Sequence, residues 1–357
     1  MKVILIGCGA VAQKLYRKPL QKLEKQGVLR VVGLVDRHLP HARVMSPFFR
    51  HASSYDQIET ALRATEPDLT LVLSPAHLHA EHAILAMRAR SHVLCEKPMA
   101  TTEHDCALMI AAARQAERVL AIGMTRRFFP AFSCLKQWIS SDGLGTIESF
   151  QYREGRRFEW QITTSASFLK RGEGGAGVLF DIGPHAIDLL LWLFGTPEVT
   201  SYADDALAGV DSYVSMKMET PRGPGSMHLC WNFPLANELR VYGSKGEAVL
   251  RIDQPDRLAI KRVSRFEEIA CNHSYPANVA QPSRRALSPK LYVQAIYCQL
   301  IQTMRAIQLG ESPAVTAEEG RQCVAVIEAA RRIAQPIRMT WLNPTQQSAF
   351  TALHWTN

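Results

Sequence analysis

No Cys-x-x-Cys pair occurs among the eight cysteines, so the spacing of a zinc ribbon or a dithiol redox centre is missing. Cys8, Cys95, Cys106 and Cys323 sit in apolar context, which suits reduced, buried thiols in a cytosolic protein. No apolar run approaches the length of a transmembrane helix; Leu189 to Phe194 is a fraction of it. The run Val3 to Ile6 is too short for a signal peptide and passes straight into Gly7. Nor is there a basic tract. The net charge is +8, but the densest clusters are the pairs Arg126-Arg127, Arg156-Arg157, Arg284-Arg285 and Arg331-Arg332. These absences point away from membrane and nucleic-acid partners and toward a soluble, cytoplasmic protein. At 357 residues, 47% hydrophobic and 21% charged, the chain is long enough for one or two domains with real cores.

What is present begins at the first residues. Lys2 to Ile6 reads as a short apolar strand of a parallel sheet. Gly7-x-Gly9-x-x-Ala12 comes directly after it and opens a helical pattern that runs to about Lys25. Val31 to Val35 is a second strand, ending at Asp36. Strand, tight glycine turn, helix, strand and acid form the dinucleotide-binding fingerprint in its required context. Gly7 permits the turn, and Gly9 lets the backbone approach a pyrophosphate at the helix N-terminus. Ala12 keeps helix and strand close. Asp36 is placed to accept hydrogen bonds from ribose hydroxyls, which favours NAD. Arg37 beside it can take a 2′-phosphate, which leaves NADP open.

The alternation continues. Tyr55 to Ala64 reads as helix, Leu69 to Leu73 as strand, Ala80 to Ala89 as helix and His92 to Cys95 as strand. Thr102 to Glu117 is helical and leads to a strand over Val119 to Gly123. Repeated units of this kind predict a doubly wound parallel sheet, with ligands at the carboxyl ends of its strands. Gly7 to Ala12, Ser74 to His79 and Glu96 to Pro98 all fall at such ends. Lys97 there can polarise a hydroxyl or carbonyl oxygen, although a loop lysine at the surface is the commoner case. His77, His79, His82 and His92 invite a zinc site, but no cysteine or carboxylate set completes one, so no metal is expected.

One further stretch stands out. Gly174 to Gly177 is glycine-rich, and Val178 to Phe194 becomes an apolar run closed by Gly195 and Pro197. This predicts a loop entering a buried helix. Asp181, His185 and Asp188 share a side of that helix. An Asp beside a His fixes its tautomer and suits it to general acid–base work. The alternative is a helix N-terminus capped by Asp181, with Pro184 in its first turn and His185 a satisfied core residue.

Taken in order, Gly7-x-Gly9-x-x-Ala12, Ser74-Pro75-x-x-x-His79, Val93-Leu94-Cys95-Glu96-Lys97-Pro98, Arg127-Phe128, Gly174-Gly175 and Asp181-x-Gly183-x-His185-x-x-Asp188 resemble the glucose-fructose oxidoreductase / inositol dehydrogenase / rhizopine-catabolism (Gfo/Idh/MocA) family. The resemblance runs from Met1 to about Leu342. It implies an NAD(P)-dependent oxidoreductase acting on a sugar, cyclitol or related polyol, with Lys97, Asp181 and His185 as the catalytic trio. It also implies cofactor contacts from Gly7, Gly9, Ala10, Val11, Ala12, Asp36, Arg37, Ser74, Pro75, His79, Glu96, Lys97 and Arg127. Ser74-Pro75-Ala76 departs from the family's common Thr-Pro-Asn, which leaves one cofactor-side contact in question.

The domains read as a dinucleotide-binding domain over 1–123, a substrate-binding and oligomerisation domain over 124–342 and a tail over 343–357. In the second domain Phe129 to Ser140 is a helix and Ile147 to Arg153 a strand. The resemblance places the loop Arg156 to Gly172 over the substrate. Strands are expected at Val199–Tyr202, Asp211–Glu219, Gly225–Trp231, Glu238–Tyr242 and Glu247–Ile252, in succession, as in a mainly antiparallel open sheet of an α+β domain. Arg262 to Pro289 reads as a polar excursion, Leu291 to Leu309 and Ala317 to Ala334 as helices, and Ile337 to Trp341 as a last strand. The resemblance implies a homo-oligomer, dimer or tetramer, through the face of this sheet.

The expected chemistry is hydride transfer between nicotinamide and a carbinol or keto carbon. His185, oriented by Asp181, takes the hydroxyl proton while Lys97 holds the oxygen. Substrate contacts are expected from Arg153, Glu154, Arg156, Trp160 and Asn232 beside the trio, or these arginines serve the surface or the cofactor. Two alternatives share the fold: a redox-assisted glycosidase that retains its NAD, and a non-catalytic NAD-binding regulator. The regulator predicts a degraded Lys/Asp/His set; here the set is whole.

Overall fold

The computed structural model describes residues 1–158, 177–206, 209–262, 265–271, 289–337 and 343–355. The chain folds into two compact units. The first is built on a six-stranded, wholly parallel sheet of β1 (Lys2–Ile6), β2 (Arg30–Val35), β3 (Ser53–Tyr55), β4 (Leu69–Val72), β5 (His92–Cys95) and β6 (Leu120–Ile122), in the order β3-β2-β1-β4-β5-β6. This is the doubly wound order, with its reversal between β1 and β4. Val3, Ile4, Leu5, Leu69, Leu71, Val72, Val93 and Leu94 are fully buried, as a sheet covered on both faces requires. The connecting helices are α1 (Arg17–Lys25), α2 (Leu39–Met45), α3 (Ile58–Thr65), α4 (His79–Arg88) and α5 (Glu103–Ala116). Thr102 caps α5 through the Asp105 N–H at 3.1 Å.

Two elements of this unit escape the sequence reading. Tyr55 ends an edge strand rather than beginning a helix, and Leu39–Met45 is helical. Both are short, and a three-residue strand carries too little periodicity to be seen. A larger difference lies at the boundary. This unit runs to Phe128 and also takes in residues 289–324, so α9 (Pro289–Leu309) packs with it rather than with the second unit. The Tyr297 hydroxyl donates to Gln26 Oε1 at 2.9 Å, and Gln299 Nε2 donates to the Tyr16 hydroxyl at 3.0 Å.

The second unit contains α6 (Pro130–Ser140), α7 (Val178–Asp181), α8 (Gly183–Phe194) and the C-terminal part of α10 (Ala317–Arg332). Its nine-stranded sheet comprises β7 (Ile147–Gly155), β8 (Glu198–Asp204), β9 (Tyr213–Thr220), β10 (Gly223–Cys230), β11 (Glu238–Gly243), β12 (Gly246–Arg251), β13 (Arg257–Arg262), β14 (Arg265–Ala270) and β15 (Ala334–Pro336). Its order is β14-β13-β12-β11-β7-β10-β9-β8-β15. The pairs β7–β10 and β8–β15 are parallel and the rest antiparallel, so the sheet is mixed. β14 lies in the stretch read as an excursion: Arg265 to Ala270 is exposed or nearly so at every position, and an edge strand without a buried face leaves no alternation to detect. Ala334–Pro336 forms a strand; the expected strand Ile337 to Trp341 lies, apart from Ile337, outside the described residues, as do 272–288 of the excursion. The expected tail holds α11 (Pro344–Trp355).

One face of this sheet is packed. Phe150, Tyr152 and Glu154 of β7 are buried, while the alternating Ser149, Gln151 and Arg153 are half-exposed. The Phe150 ring stacks on Phe194 of α8 at 4.1 Å and 2°, which identifies the buried face as the α8 side. A Cβ on Gly225, register partner of Phe150, would come within 2.1 Å of that ring, so glycine makes room for the stack. Among the described residues no helix is long and apolar enough to cross a membrane.

Candidate active site

In the first unit the glycine turn is held from three directions. Gly7 has φ 94°, and a Cβ there would lie 2.6 Å from the Ser74 backbone nitrogen. Its N–H donates to Val35 O at 2.8 Å. The Cys8 N–H donates to Asp36 Oδ2 at 2.9 Å, so the acid at the end of β2 organises the turn. Asp36 Oδ1 accepts from the His38 N–H at 2.9 Å, and His41 Nδ1 lies 3.4 Å from Oδ2. Arg37 points to solvent. The first helical bond runs from Gln13 N–H to Gly9 O at 3.0 Å, which sets the amides after Gly9 at a helix N-terminus, where anions are favoured.

The helix does not continue regularly. Ala12–Tyr16 forms a wide turn of the π type, closed by the Arg17 N–H on Ala12 O. An extra residue of this kind rotates the next turn about the helix axis and recurs at functional sites. Here it brings Tyr16, fully buried, onto Glu96, its hydroxyl donating to Oε1 at 2.6 Å. Glu96 Oε2 accepts the Lys97 N–H at 3.1 Å. The chain of bonds runs on from Tyr16 to Gln299 and to the Thr125 hydroxyl, which donates to Gln299 Oε1 at 3.1 Å. Burial pushes the Glu96 carboxyl up, while the Tyr16 hydroxyl and the Lys97 cation pull against it. Burial, then Glu96, push the Tyr16 phenol well above its ordinary range. Glu96, expected at the cofactor, thus underpins Lys97 from within a satisfied buried network. Lys97 itself is half-exposed.

His79 is 1% exposed and joins two strand ends. Its Nδ1 is 2.8 Å from Pro98 O and its Nε2 2.7 Å from Ser74 O. Burial pushes this imidazole down, and the two carbonyls pull it up. The Ser74 hydroxyl meets His82 Nδ1 at 2.8 Å, and His92 Nδ1 accepts the Val119 N–H at 2.9 Å. His79, His82 and His92 are therefore engaged by the protein itself, while His77 is exposed. Arg127 is also inward: its guanidinium pairs with Glu319 at 2.6 Å with only 4% of the side chain exposed. Glu319 belongs to a capping box, accepting the Thr316 N–H at 2.8 Å while the Thr316 hydroxyl accepts its own N–H at 3.2 Å. Burial works against the Glu319 carboxylate, but Arg127 and Thr316 hold it below the ordinary range.

In the second unit, α7 and α8 are one helix in all but its hydrogen bonding at Ile182, which keeps φ −85° and ψ −34°. The phase from Asp181 to His185 is therefore preserved, and the expected shared side exists. Asp181 is half-buried, His185 is 7% exposed and Asp188 1%. Pro184 lies in the first turn of α8, and Gly195, at φ 91°, ends it. Glu154 is 5% exposed and accepts the Tyr152 hydroxyl at 2.7 Å. It sits on the α8 side, being the register partner of Leu229, whose Cδ1 lies 3.8 Å from the Cβ position of Gly183.

Arg153 lies on the opposite, open face, where it donates to Gln151 Oε1 at 2.5 Å. Arg156 is exposed at the strand end, its N–H on Cys230 O at 3.1 Å, and Asn232 donates to the Ser212 hydroxyl at 2.6 Å. Trp160 and Gly174 to Ala176 lie outside the described residues.

The sequence reading passed over Asp211. This aspartate is 4% exposed, and its Oδ2 accepts the Leu179 N–H at 2.7 Å. No spacing in the sequence relates residue 211 to residue 179.

Residues 1–124 match the model of an oxidoreductase family with an NAD-binding Rossmann fold, and residues 132–249 match the GFO/IDH/MocA C-terminal domain. The chain belongs to the Gfo/Idh/MocA family. Among curated members, it is 32% identical over 204 residues to a D-glucoside 3-dehydrogenase of Escherichia coli, covering 56% of each chain. It is 26% identical over 205 residues to a scyllo-inositol 2-dehydrogenase (NADP(+)) of Bacillus subtilis, covering 56% of this chain and 54% of that one. The matched segment thus spans about half the length of these Gfo/Idh/MocA relatives. A levoglucosan dehydrogenase solved with NADH and levoglucosan superposes with a TM-score of 0.81 at 20% identity, over 93% of this chain and 97% of that one. A 3-ketoreductase from Actinomadura kijaniata, solved with NADP and TDP-benzene, gives 0.78 at 19%, over 95% and 99%. At such identities the likeness is one of fold.

Proposed function

We propose that this protein is an NAD(P)-dependent oxidoreductase that transfers hydride between nicotinamide and a hydroxyl or keto carbon of a sugar, cyclitol or sugar derivative. The observation that carries the reading is the intact set of Lys97, Asp181 and His185 in a chain of the Gfo/Idh/MocA family. Lys97 stands at a strand's carboxyl end on a satisfied network, and the other two lie on one side of a buried helix. The dinucleotide fits the Gly7–Ala12 turn, whose close approach to Ser74 admits only glycine and which ends in a helix N-terminus. Gly9, Ala10 and Val11 would meet its phosphates, and Asp36 its adenine ribose; Arg37 and His41 border that position and leave NADP admissible. When bound, the nicotinamide accepts or returns the hydride.

The protein's part is to manage the oxygen and the proton. His185, oriented by Asp181, takes the hydroxyl proton, and the Lys97 ammonium stabilises the negative charge that develops on the oxygen. The relatives named above act on glucosides and an inositol, which supports a polyol substrate. The test is reduced-nicotinamide absorbance with NAD or NADP against a panel of sugars, inositols, sugar acids and nucleotide-linked sugars. Turnover is expected with at least one polyol, and Lys97→Ala and His185→Ala are each expected to lower it by about 100-fold or more while cofactor affinity survives. Wild-type turnover in both variants overturns the assignment. Tight, non-exchanging cofactor with glycoside cleavage and no net NADH points to the redox-assisted glycosidase instead.

A further inference from the structure

We propose that Asp211 is a positioning residue for the Asp181–His185 pair, fixing the first turn of the helix that carries both. The inference rests on the function proposed above.

Three observations meet at this carboxylate. First, residue 211 holds both leading amides of α7: its backbone oxygen accepts the Val178 N–H at 2.8 Å and its Oδ2 the Leu179 N–H at 2.7 Å. These are orphan donors that a helix must place somewhere. Second, Gly177 is shaped around it. At φ 91° its Cβ position would lie 2.3 Å from Asp211 Oδ1, so the loop can enter the helix only where no side chain intervenes. Third, Arg331 of α10 ties the same turn from its other side. Its guanidinium lies 3.8 Å from Asp211 Oδ1 and 4.3 Å above the ring of Phe180. Val178, Leu179 and Phe180 are thus each held through residue 211 or its arginine, and Asp181 is the next residue. With Ile182 helical, the orientation of this turn passes directly to His185. A carboxylate buried to 4% exposure is costly to keep, and backbone capping at a site of chemistry gives it a use.

The test compares Asp211→Ala, Asp211→Asn and Arg331→Met with wild type and His185→Ala. Asparagine keeps an oxygen for the Leu179 N–H; alanine does not. Deuterium exchange of the full-length protein is followed by mass spectrometry, with NADH affinity by fluorescence and kcat on the polyol that turns over in the panel. For Asp211→Ala, exchange is expected to rise selectively over residues 178–190, with kcat about 10- to 100-fold lower and NADH affinity unchanged. Asp211→Asn is expected to restore most of both. Arg331 is 43% exposed, so its methionine variant folds even if the alanine variant does not, and is expected to show the same local loosening with a smaller loss in kcat. Unchanged exchange over 178–190 in the alanine and methionine variants overturns the inference, as does an asparagine variant no better than alanine. If instead His185→Ala turns over at the wild-type rate, the role proposed for His185 has failed and the inference fails with it. An inactive His185→Ala beside a fully active Asp211→Ala sinks the inference alone.

Discussion

At the scale of single residues, the structure separates half-exposed groups such as Lys97 from the buried ones that hold them, and backbone positions that admit a side chain from those that do not. Gly7 is the sharpest case. Adding a methyl there meets Ser74 N at 2.6 Å with φ at 94°, so Gly7→Ala is expected to abolish NADH binding in a fluorescence titration while secondary structure by circular dichroism persists. Tyr16→Phe is expected to destabilise the protein by about 1–3 kcal/mol in denaturant unfolding, because it leaves Glu96 short of its donor in a buried site. Several positions were legible from residues alone: the glycine turn with its acid, the lysine at a strand end, and the histidine one turn past an aspartate. The inward engagement of His79, Glu96 and Arg127 was not. Their partners Pro98, Tyr16 and Glu319 come from other elements, and local pattern does not register such bonds.

At the scale of elements, helix ends carry the consequences. Arg127 is buried and Glu319, its partner, is a third exposed and caps α10. Glu319→Ala removes one arm of the capping box, the Thr316 hydroxyl keeping the other, and takes the carboxylate from Arg127, which keeps its bond to Ala314 O, for an expected loss of about 1–3 kcal/mol, read from the urea midpoint. Asp211 works in the opposite sense on pH. Burial lifts its carboxyl to about 6, against the Leu179 N–H and Arg331, which pull it down, and with Asp204, which adds to the rise. The folded protein therefore binds the proton more tightly than the unfolded chain, so stability falls as pH rises from about 4 through 6. Asp211→Asn removes that loss. Its melting temperature is expected to exceed the wild type's at pH 7.5, with the gap closing toward pH 4; a gap that widens in acid contradicts the sign. Most strands with a buried face were readable from their periodicity; β13, with Leu258 and Ile260 inward, was not anticipated. β3 and β14 were not, being too short or too exposed to show one.

At the scale of the whole molecule, the order of elements along the chain and the composition of the units part company. Residues 289–324 return to the first unit, where Gln299 and Tyr297 bond to Tyr16 and Gln26. A fragment ending at residue 128 is thus expected to unfold at lower denaturant than the same unit in the intact chain, and to regain NADH binding when residues 289–324 are supplied in trans. Local pattern alone was enough for the parallel dinucleotide-binding sheet, the glycine turn, the strand-end position of Lys97 and the spacing of Asp181 and His185. Those features are written in periodicity and in short-range geometry that one segment can satisfy. It took the folded chain to establish that α9 completes the first unit, that Arg153 faces away from α8 while Glu154 faces it, and that Asp211 caps the turn before Asp181. Each depends on contacts between residues far apart in the chain, whose burial and hydrogen bonding exist only once both segments are in place.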